Sequence, residues 1–258
     1  MSAQETSAPH ASPIAEGAEA RETLYVWDLL VRIAHWLNVL SIVVLSVTGY
    51  YIASPFITTQ GAATDNFLMG AIRFTHFLFA FIFTVTVLFR IYWALAGNRW
   101  AGWRQFIPTS RKRLRALGRM GRYYAFLRPR PPAVVGHNPL AGAAYTAIYV
   151  VFAIQIATGF SLYVLPDHTG VLLWLFGWIT AIFGVQPVRL VHDLAMWVII
   201  AFTIHHVYSA VLIDIEERSG LVSSIVTGYK SLTPEHIAEA RENDAGAGRA
   251  TIHEQERG

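Results

Sequence analysis

The strongest constraint on the fold is an apolar stretch at residues 188–213 that carries three histidines. The stretch, VRLVHDLAMWVIIAFTIHHVYSAVLI, exceeds the roughly 20 residues that a helix needs to cross a bilayer. On an ideal helix His192 and His206 lie about 40° apart around the axis and roughly 21 Å apart along it, whereas His205 lies about 140° from His192. Because ionisable groups inside a membrane are energetically costly and usually functional, the pattern predicts two imidazoles with a functional role on one face of the helix. The simpler alternative is a set of buried histidines that only hydrogen-bond to neighbouring groups.

The composition indicates a membrane protein rather than an ordinary soluble domain. Of the 258 residues, 54% are hydrophobic and only 14% are charged. The sequence contains no cysteine. This excludes disulfides, thiolate-ligated iron–sulfur clusters and covalently attached c-type haem within the chain. If the protein handles electrons, histidine-ligated haem is the obvious carrier, and any iron–sulfur donor must lie on a partner.

Four apolar stretches predict an all-α membrane protein with a four-transmembrane-helix bundle. The predicted spans are residues 33–53, 71–96, 140–164 and 188–213. A fifth apolar stretch at 171–185 is shorter than a span, so we predict a short interfacial or re-entrant helix in the outer loop between spans three and four. A fifth span there would move the C-terminal tail across the membrane and would reverse the last helix.

The distribution of charge predicts the orientation of the bundle. Residues 97–139 contain ten Lys or Arg residues and no Asp or Glu. Between two spans, such a loop is better explained by the positive-inside rule than by nucleic-acid binding, so we expect it to be cytoplasmic. The polar tails, residues 1–24 and 230–258, are then cytoplasmic as well. The first tail is predicted to be disordered and is not a cleavable signal peptide, and residues 25–229 form the membrane domain.

The predicted topology pairs the histidines by depth. Spans two and four enter from outside, so His76 and His192 lie near the outer face; we call them the outer pair. His35, at the start of span one, and His206 lie near the cytoplasmic face; we call them the inner pair. Two haems with two histidine ligands each, one near either face, would use all four side chains.

An arginine precedes three of these histidines by one helical turn, as Arg32, Arg73 and Arg189. Each lies on the side nearer the membrane surface, where haem propionates need cationic partners, and arginine binds carboxylates through its forked geometry. Arg90 follows His76 by fourteen residues and shares its face at the level of the inner pair, so we predict a propionate contact there too. The alternative is that these arginines only extend toward the membrane surface.

Two smaller motifs have both a structural and a functional interpretation. Gly49 and Gly159 stand in Thr-Gly-aromatic steps, where they would allow close approach of a macrocycle or, in the simpler interpretation, of another helix. His137 and Asn138 lie at the inner boundary, just before the third span. They cap that helix in the simpler interpretation, and in the functional one they line a candidate quinone site.

Several segments together resemble the b-type cytochrome subunit of membrane-bound uptake [NiFe] hydrogenases. They are VRIAHWLNVLSIVVLSVTGYYI, RFTHF followed by FRIYWALAGN, GHNPLA, and HDLAMWVIIAFTIHHVY. The resemblance covers roughly residues 25–229. Its most specific element is the His-x4-Trp-x4-Phe-x3-His pattern, which selects His206 over His205. Asp193, directly after His192, departs from the basic residue or second histidine expected there.

The resemblance implies a quinone-linked cytochrome with two haem b groups in the bacterial cytoplasmic (inner) membrane. Such a subunit anchors a periplasmic hydrogenase and takes electrons from its iron–sulfur small subunit, which binds the large subunit. It has no hydrogen chemistry of its own, and assembly of the complex into a higher oligomer stays open.

Three alternatives stay open at this point. The related cytochrome b subunit of membrane-bound formate dehydrogenase differs only in its partner. A haem-free membrane anchor would need none of the four histidines. A metal transporter would need acidic residues in the spans, and Asp193 is the only candidate at span depth.

Overall fold

The structure is a computed structural model that describes residues 21–57, 67–96, 139–166, 170–217 and 220–234. In chain order the elements are β1 (Glu22–Tyr25), α1 (Leu29–Ala53), α2 (Leu68–Ala96), α3 (Pro139–Tyr163), α4 (Val171–Phe183), α5 (Val185–Glu217), α6 (Leu221–Thr227) and β2 (Tyr229–Leu232). The prediction of an all-α membrane bundle is confirmed. Two four-residue strands, which hydrogen-bond to each other, were not predicted. His137, Asn138 and nearly all of the basic loop lie outside the described residues.

Four helices of the described part are long and apolar enough to cross a membrane, as predicted. The qualifying segments are Leu29–Ala53, Leu68–Trp93, Gly142–Tyr163 and Val185–Ile215. The fourth of these helices, α5, begins three residues before the predicted span. Its start is set by Gly184, whose φ of +82° is unfavourable for residues with a side chain. Pro187 then falls in the first turn, where a missing N–H breaks no helical hydrogen bond.

The short apolar helix α4 contains 13 residues, too few to cross a bilayer. It packs against α3 and α5. Ser161 of α3 is fully buried against it, and its hydroxyl donates to the Thr180 hydroxyl over 3.2 Å. The predicted interfacial position of α4 stays a prediction.

The four long helices associate mainly as two pairs, α1 with α2 and α3 with α5. A buried cluster joins three of these helices; its members are Phe83, Val87, Ile148, Phe152 and Ile199. Most other apolar side chains of the spans are exposed. In a membrane this is expected, because lipid is as apolar as leucine and close packing, rather than burial from water, holds helices together.

The segment after α5 is fastened to the start of α1. The Trp27 indole donates to the Ser224 hydroxyl of α6 over 3.1 Å, and Val26 N–H donates to the Gly228 carbonyl over 2.8 Å. Asp214 near the end of α5 accepts hydrogen bonds from the first two backbone N–H groups of α6. These contacts place α6 beside the end of α1 that carries Arg32 and His35.

Candidate functional site

A cavity of about 670 Å³ is lined by residues of α1, α2, α3 and α5. His76 and His192, the outer pair, both line it, together with Arg73 and Arg189. The volume falls within the range of pockets that hold small molecules and cofactors. The structure therefore brings together the four side chains that the sequence predicts for the outer site.

His76 of α2 is held by the neighbouring helix α1. The Thr48 hydroxyl lies 2.9 Å from Nδ1 of His76. A Cβ added to the next residue, Gly49, would lie only 3.2 Å from Cε1 of the same ring. The Thr-Gly step of α1 therefore provides both a polar partner and space for the imidazole.

His192 of α5 is held in the same way by α3. The Thr158 hydroxyl lies 3.0 Å from Nδ1 of His192, and a Cβ added to Gly159 would lie 3.0 Å from Cε1. Each half of the outer site thus combines an Arg-x-x-His on one helix with a Thr-Gly step on its packing partner. The sequence reveals the two Thr-Gly steps, but sequence analysis assigned a role only to their glycines.

Gln155 of α3 was also missed by the sequence analysis. Its side-chain nitrogen lies 3.3 Å from Nε2 of His192. Its carbonyl oxygen, Oε1, is buried without a hydrogen-bond partner in the described part of the chain. Buried polar atoms are normally hydrogen-bonded, so this oxygen leaves one acceptor beside the cavity for a group from outside the described residues.

The structure also brings the inner pair together. The ring centroids of His35 on α1 and His206 on α5 lie 6.4 Å apart with the ring planes at 60°. Phe202 stacks on His206 at 5.8 Å and 7°, and the Tyr145 hydroxyl lies 3.5 Å from Nδ1 of His206. His205, by contrast, is exposed and lies 3.4 Å from Ser209 on its own helix.

The arginines predicted near the inner pair have protein partners. The Arg32 guanidinium donates to the Val226 carbonyl at the end of α6, while its Nε is buried without a partner among the described residues. Arg90 also interacts with another group of the protein. These contacts neither require nor prevent the predicted propionate contacts. Arg73 and Arg189 are both exposed at the cavity of the outer pair.

A comparison with known protein families identifies the family of the chain. The model of the prokaryotic cytochrome b561 family matches residues 26–228. The chain belongs to this family. It is therefore a multi-pass b-type cytochrome, an electron-transport protein whose prosthetic group is haem b.

Similar proteins from three bacteria are all named as B-type cytochrome subunits of Ni/Fe hydrogenases. The chain is 43% identical to a probable Ni/Fe-hydrogenase B-type cytochrome subunit of Cupriavidus necator, over 84% of the chain and 91% of that protein. It is 42% identical to one from Bradyrhizobium diazoefficiens, over 83% and 89%. A probable Ni/Fe-hydrogenase 1 B-type cytochrome subunit of Escherichia coli is 40% identical, over 80% and 90%.

The residues of this cytochrome fit haem b. Neutral imidazoles are common axial ligands of haem iron, and the described helices present four of them in two pairs. The glycines leave space where a side chain would collide with a ring of the outer pair. Among the described residues, no group of three or more His, Asp or Glu could hold a metal ion directly.

Proposed function

We propose that this cytochrome carries electrons from a [NiFe] hydrogenase through two haem b groups to quinone. The observation that carries the proposal is the grouping of four histidines into two separate pairs, one of which lines a cavity of cofactor size. When bound, haem supplies reversible one-electron chemistry between ferric and ferrous iron. The protein's own task is to bind, orient and enclose it.

The ligands and their partners follow from this arrangement. His76 and His192 are the proposed axial ligands of the outer haem, and His35 and His206 those of the inner haem. Arg73 and Arg189 are the proposed propionate partners of the outer haem, because both are exposed at the cavity. Arg32 and Arg90 are the corresponding candidates at the inner haem.

The names of the relatives support the choice of partner. All three relatives above are named as B-type cytochrome subunits of Ni/Fe hydrogenases. We propose that the iron–sulfur small subunit of such an enzyme docks on the outer face, and that the large subunit binds through it. A formate dehydrogenase partner is the second candidate, supported only by the shared four-helix design.

Charge supports the proposed orientation in the bacterial inner membrane. The predicted basic loop at residues 97–139 lies on the cytoplasmic side, as do both termini. Electrons then enter at the outer pair and leave at the inner pair. Quinone is reduced near His137 and Asn138 with cytoplasmic protons, so that hydrogen oxidation outside builds a proton gradient without a pump.

Haem content tests the ligand assignment. We expect about two haems b per purified chain by pyridine haemochrome assay, about one for His76→Ala, and about two for the control His205→Ala, whose ring is exposed. A colourless wild-type protein would instead indicate a membrane anchor. A His76→Ala protein that keeps both haems would refute the assignment of His76 as a haem ligand.

Substitution at the candidate quinone site tests the acceptor. In membranes that contain the hydrogenase, His137→Ala with Asn138→Ala should slow hydrogen-dependent quinone reduction while haem content stays at the wild-type level. Reduction of an artificial acceptor directly by the hydrogenase is the control. Unchanged quinone turnover would exclude this site.

A further inference from the structure

We propose that Thr48 and Thr158 are positioning residues for the outer haem, a role that rests on the proposed function of His76 and His192. Each threonine oxygen accepts a hydrogen bond from Nδ1–H of its histidine. This contact fixes the ring tautomer and leaves Nε2 unprotonated, ready to bind iron. The two hydroxyls also make both imidazoles more basic, and so stabilise ferric haem at the outer site.

The direction of each hydrogen bond follows from counting protons. A threonine hydroxyl has one proton to donate and two lone pairs. The Thr48 hydroxyl donates to the Val44 carbonyl over 2.7 Å, and the Thr158 hydroxyl donates to the Ile154 carbonyl over 2.7 Å. With the single proton used within its own helix, each oxygen can only accept from the histidine. Nδ1 of both rings is therefore the protonated nitrogen.

The other nitrogen of His192 gives an independent indication of the same tautomer. The Gln155 side-chain NH2 group, which can only donate, lies 3.3 Å from Nε2 of this ring. With the amide in this orientation Nε2 is the acceptor, and it carries the lone pair that iron needs. Because Oε1 of Gln155 has no partner among the described residues, no hydrogen bond of this oxygen to that part of the chain opposes movement of the amide away from Nε2.

Among the described residues, a threonine hydroxyl contacts a histidine ring nitrogen only at the outer pair. Thr48 with His76 and Thr158 with His192 repeat the same contact on two separate helix pairs, at 2.9 and 3.0 Å. At the inner pair, the Tyr145 hydroxyl lies 3.5 Å from Nδ1 of His206, at the limit of a hydrogen bond. Stronger acceptors at the outer ligands favour a lower potential for the outer haem, which would direct electrons inward.

The test replaces each hydroxyl with a methyl group of similar shape, in Thr48→Val and Thr158→Val. Loss of the acceptor weakens the imidazole as a ligand, so the potential of one of the two haems should rise in a redox titration followed by optical spectra. Loss of an outer-shell partner of this kind costs roughly 10- to 100-fold in affinity. Haem should therefore transfer faster from the variant to apomyoglobin, and only one of the two haems should show this change.

Matched variants make the outcome specific. Thr48→Ser and Thr158→Ser keep the hydroxyl and should restore the wild-type potential. Thr75→Val is the control: this residue directly precedes His76, but among the described residues its hydroxyl hydrogen-bonds only to the Ala71 carbonyl of its own helix, over 2.9 Å, and to no histidine ring. If one valine variant cannot be purified, the other tests the same contact on a different helix pair.

The results separate this inference from the function on which it rests. If His76→Ala loses one haem but both valine variants behave like Thr75→Val, the positioning role is overturned and the ligands stand. If His76→Ala keeps both haems, the ligand assignment itself fails. A raised potential in a valine variant that serine does not restore would also overturn the role of the hydroxyl.

Discussion

Gly159 of α3 lies so close to the ring of His192 on α5 that an added Cβ atom would stand 3.0 Å from Cε1. Real Cβ atoms rarely come this close, so the imidazole would have to shift. The ring also contacts Thr158, so a shift of a few tenths of an ångström would disturb that contact and the direction of Nε2. The glycine is therefore part of the outer site, in addition to any role in helix packing.

We expect Gly159→Ala to lower haem occupancy at the outer site while the four helices remain folded. The matched control is Gly70→Ala on α2, because a Cβ there would meet nothing within 4 Å. Haem per chain and circular dichroism of the purified proteins measure the two effects. Equal haem content in the two variants would show that the ring accommodates the methyl group.

Two adjacent histidines on α5 should respond very differently to removal of their side chains. His206 lies beside His35, whereas His205 is exposed and, among the described residues, hydrogen-bonds only to Ser209. We expect His206→Ala to lose the inner haem and His205→Ala to keep both. Haem counting with low-temperature difference spectra, which separate the two components, checks this. Loss of haem in His205→Ala instead would mean that the inner ligand had been misassigned.

Removing a positive charge at the outer site should lower the reduction potential of the outer haem, whereas removing a threonine hydroxyl should raise it. Arg73 and Arg189 line the cavity of the outer pair. A nearby cation stabilises the reduced haem, which carries one less positive charge, so Arg73→Gln should lower the outer potential. A loss on the order of 1 kcal/mol corresponds to about 40 mV for one electron.

Two comparisons separate charge from shape in this experiment. Arg73→Lys keeps the cation and should recover most of the potential, although it loses the forked geometry. Arg189→Gln should shift the same haem component in the same direction. A shift confined to the other component would assign these arginines to the inner site.

The carboxylate of Asp214 should stabilise α6. It accepts hydrogen bonds from the backbone N–H groups of Leu221 and Val222, which are the first two of α6 and therefore have no acceptor within the helix. Loss of such a cap typically costs about 1 kcal/mol, so Asp214→Ala should speed hydrogen exchange of these two amides roughly fivefold. Ser223→Ala removes only a hydroxyl that donates to the Gly220 carbonyl, and serves as the control.

A related consequence concerns the inner pair. Arg32 donates to the Val226 carbonyl at the end of α6, and His35 lies one helical turn further along α1. If α6 loosens, the position of Arg32 should loosen with it. Faster exchange in Asp214→Ala together with an unchanged inner haem spectrum would show that α6 does not support the inner site.

The four membrane helices and the grouping of the histidines by depth could be predicted from the sequence alone. Long apolar stretches have few alternatives in a bilayer, because helices satisfy their own backbone groups. Helical rise then fixes depth, which is why His35 could be paired with His206 and His76 with His192 before any contact was known. The assignment of these pairs to haem iron stays a prediction.

The side-chain contacts between helices at the site could not be predicted from the sequence and are known only from the fold. Segments distant in the chain are joined by the contacts of the Thr48 and Thr158 hydroxyls with histidines and by the hydrogen bond from Arg32 to Val226. The burial of the Gln155 oxygen likewise depends on which helices surround it. Hydropathy and helical phase predict the depth of a side chain in the membrane and the helix face on which it lies. They do not predict which neighbouring helix that face contacts. That choice depends on close packing between α1 and α2 and between α3 and α5, where small residues decide which atoms touch.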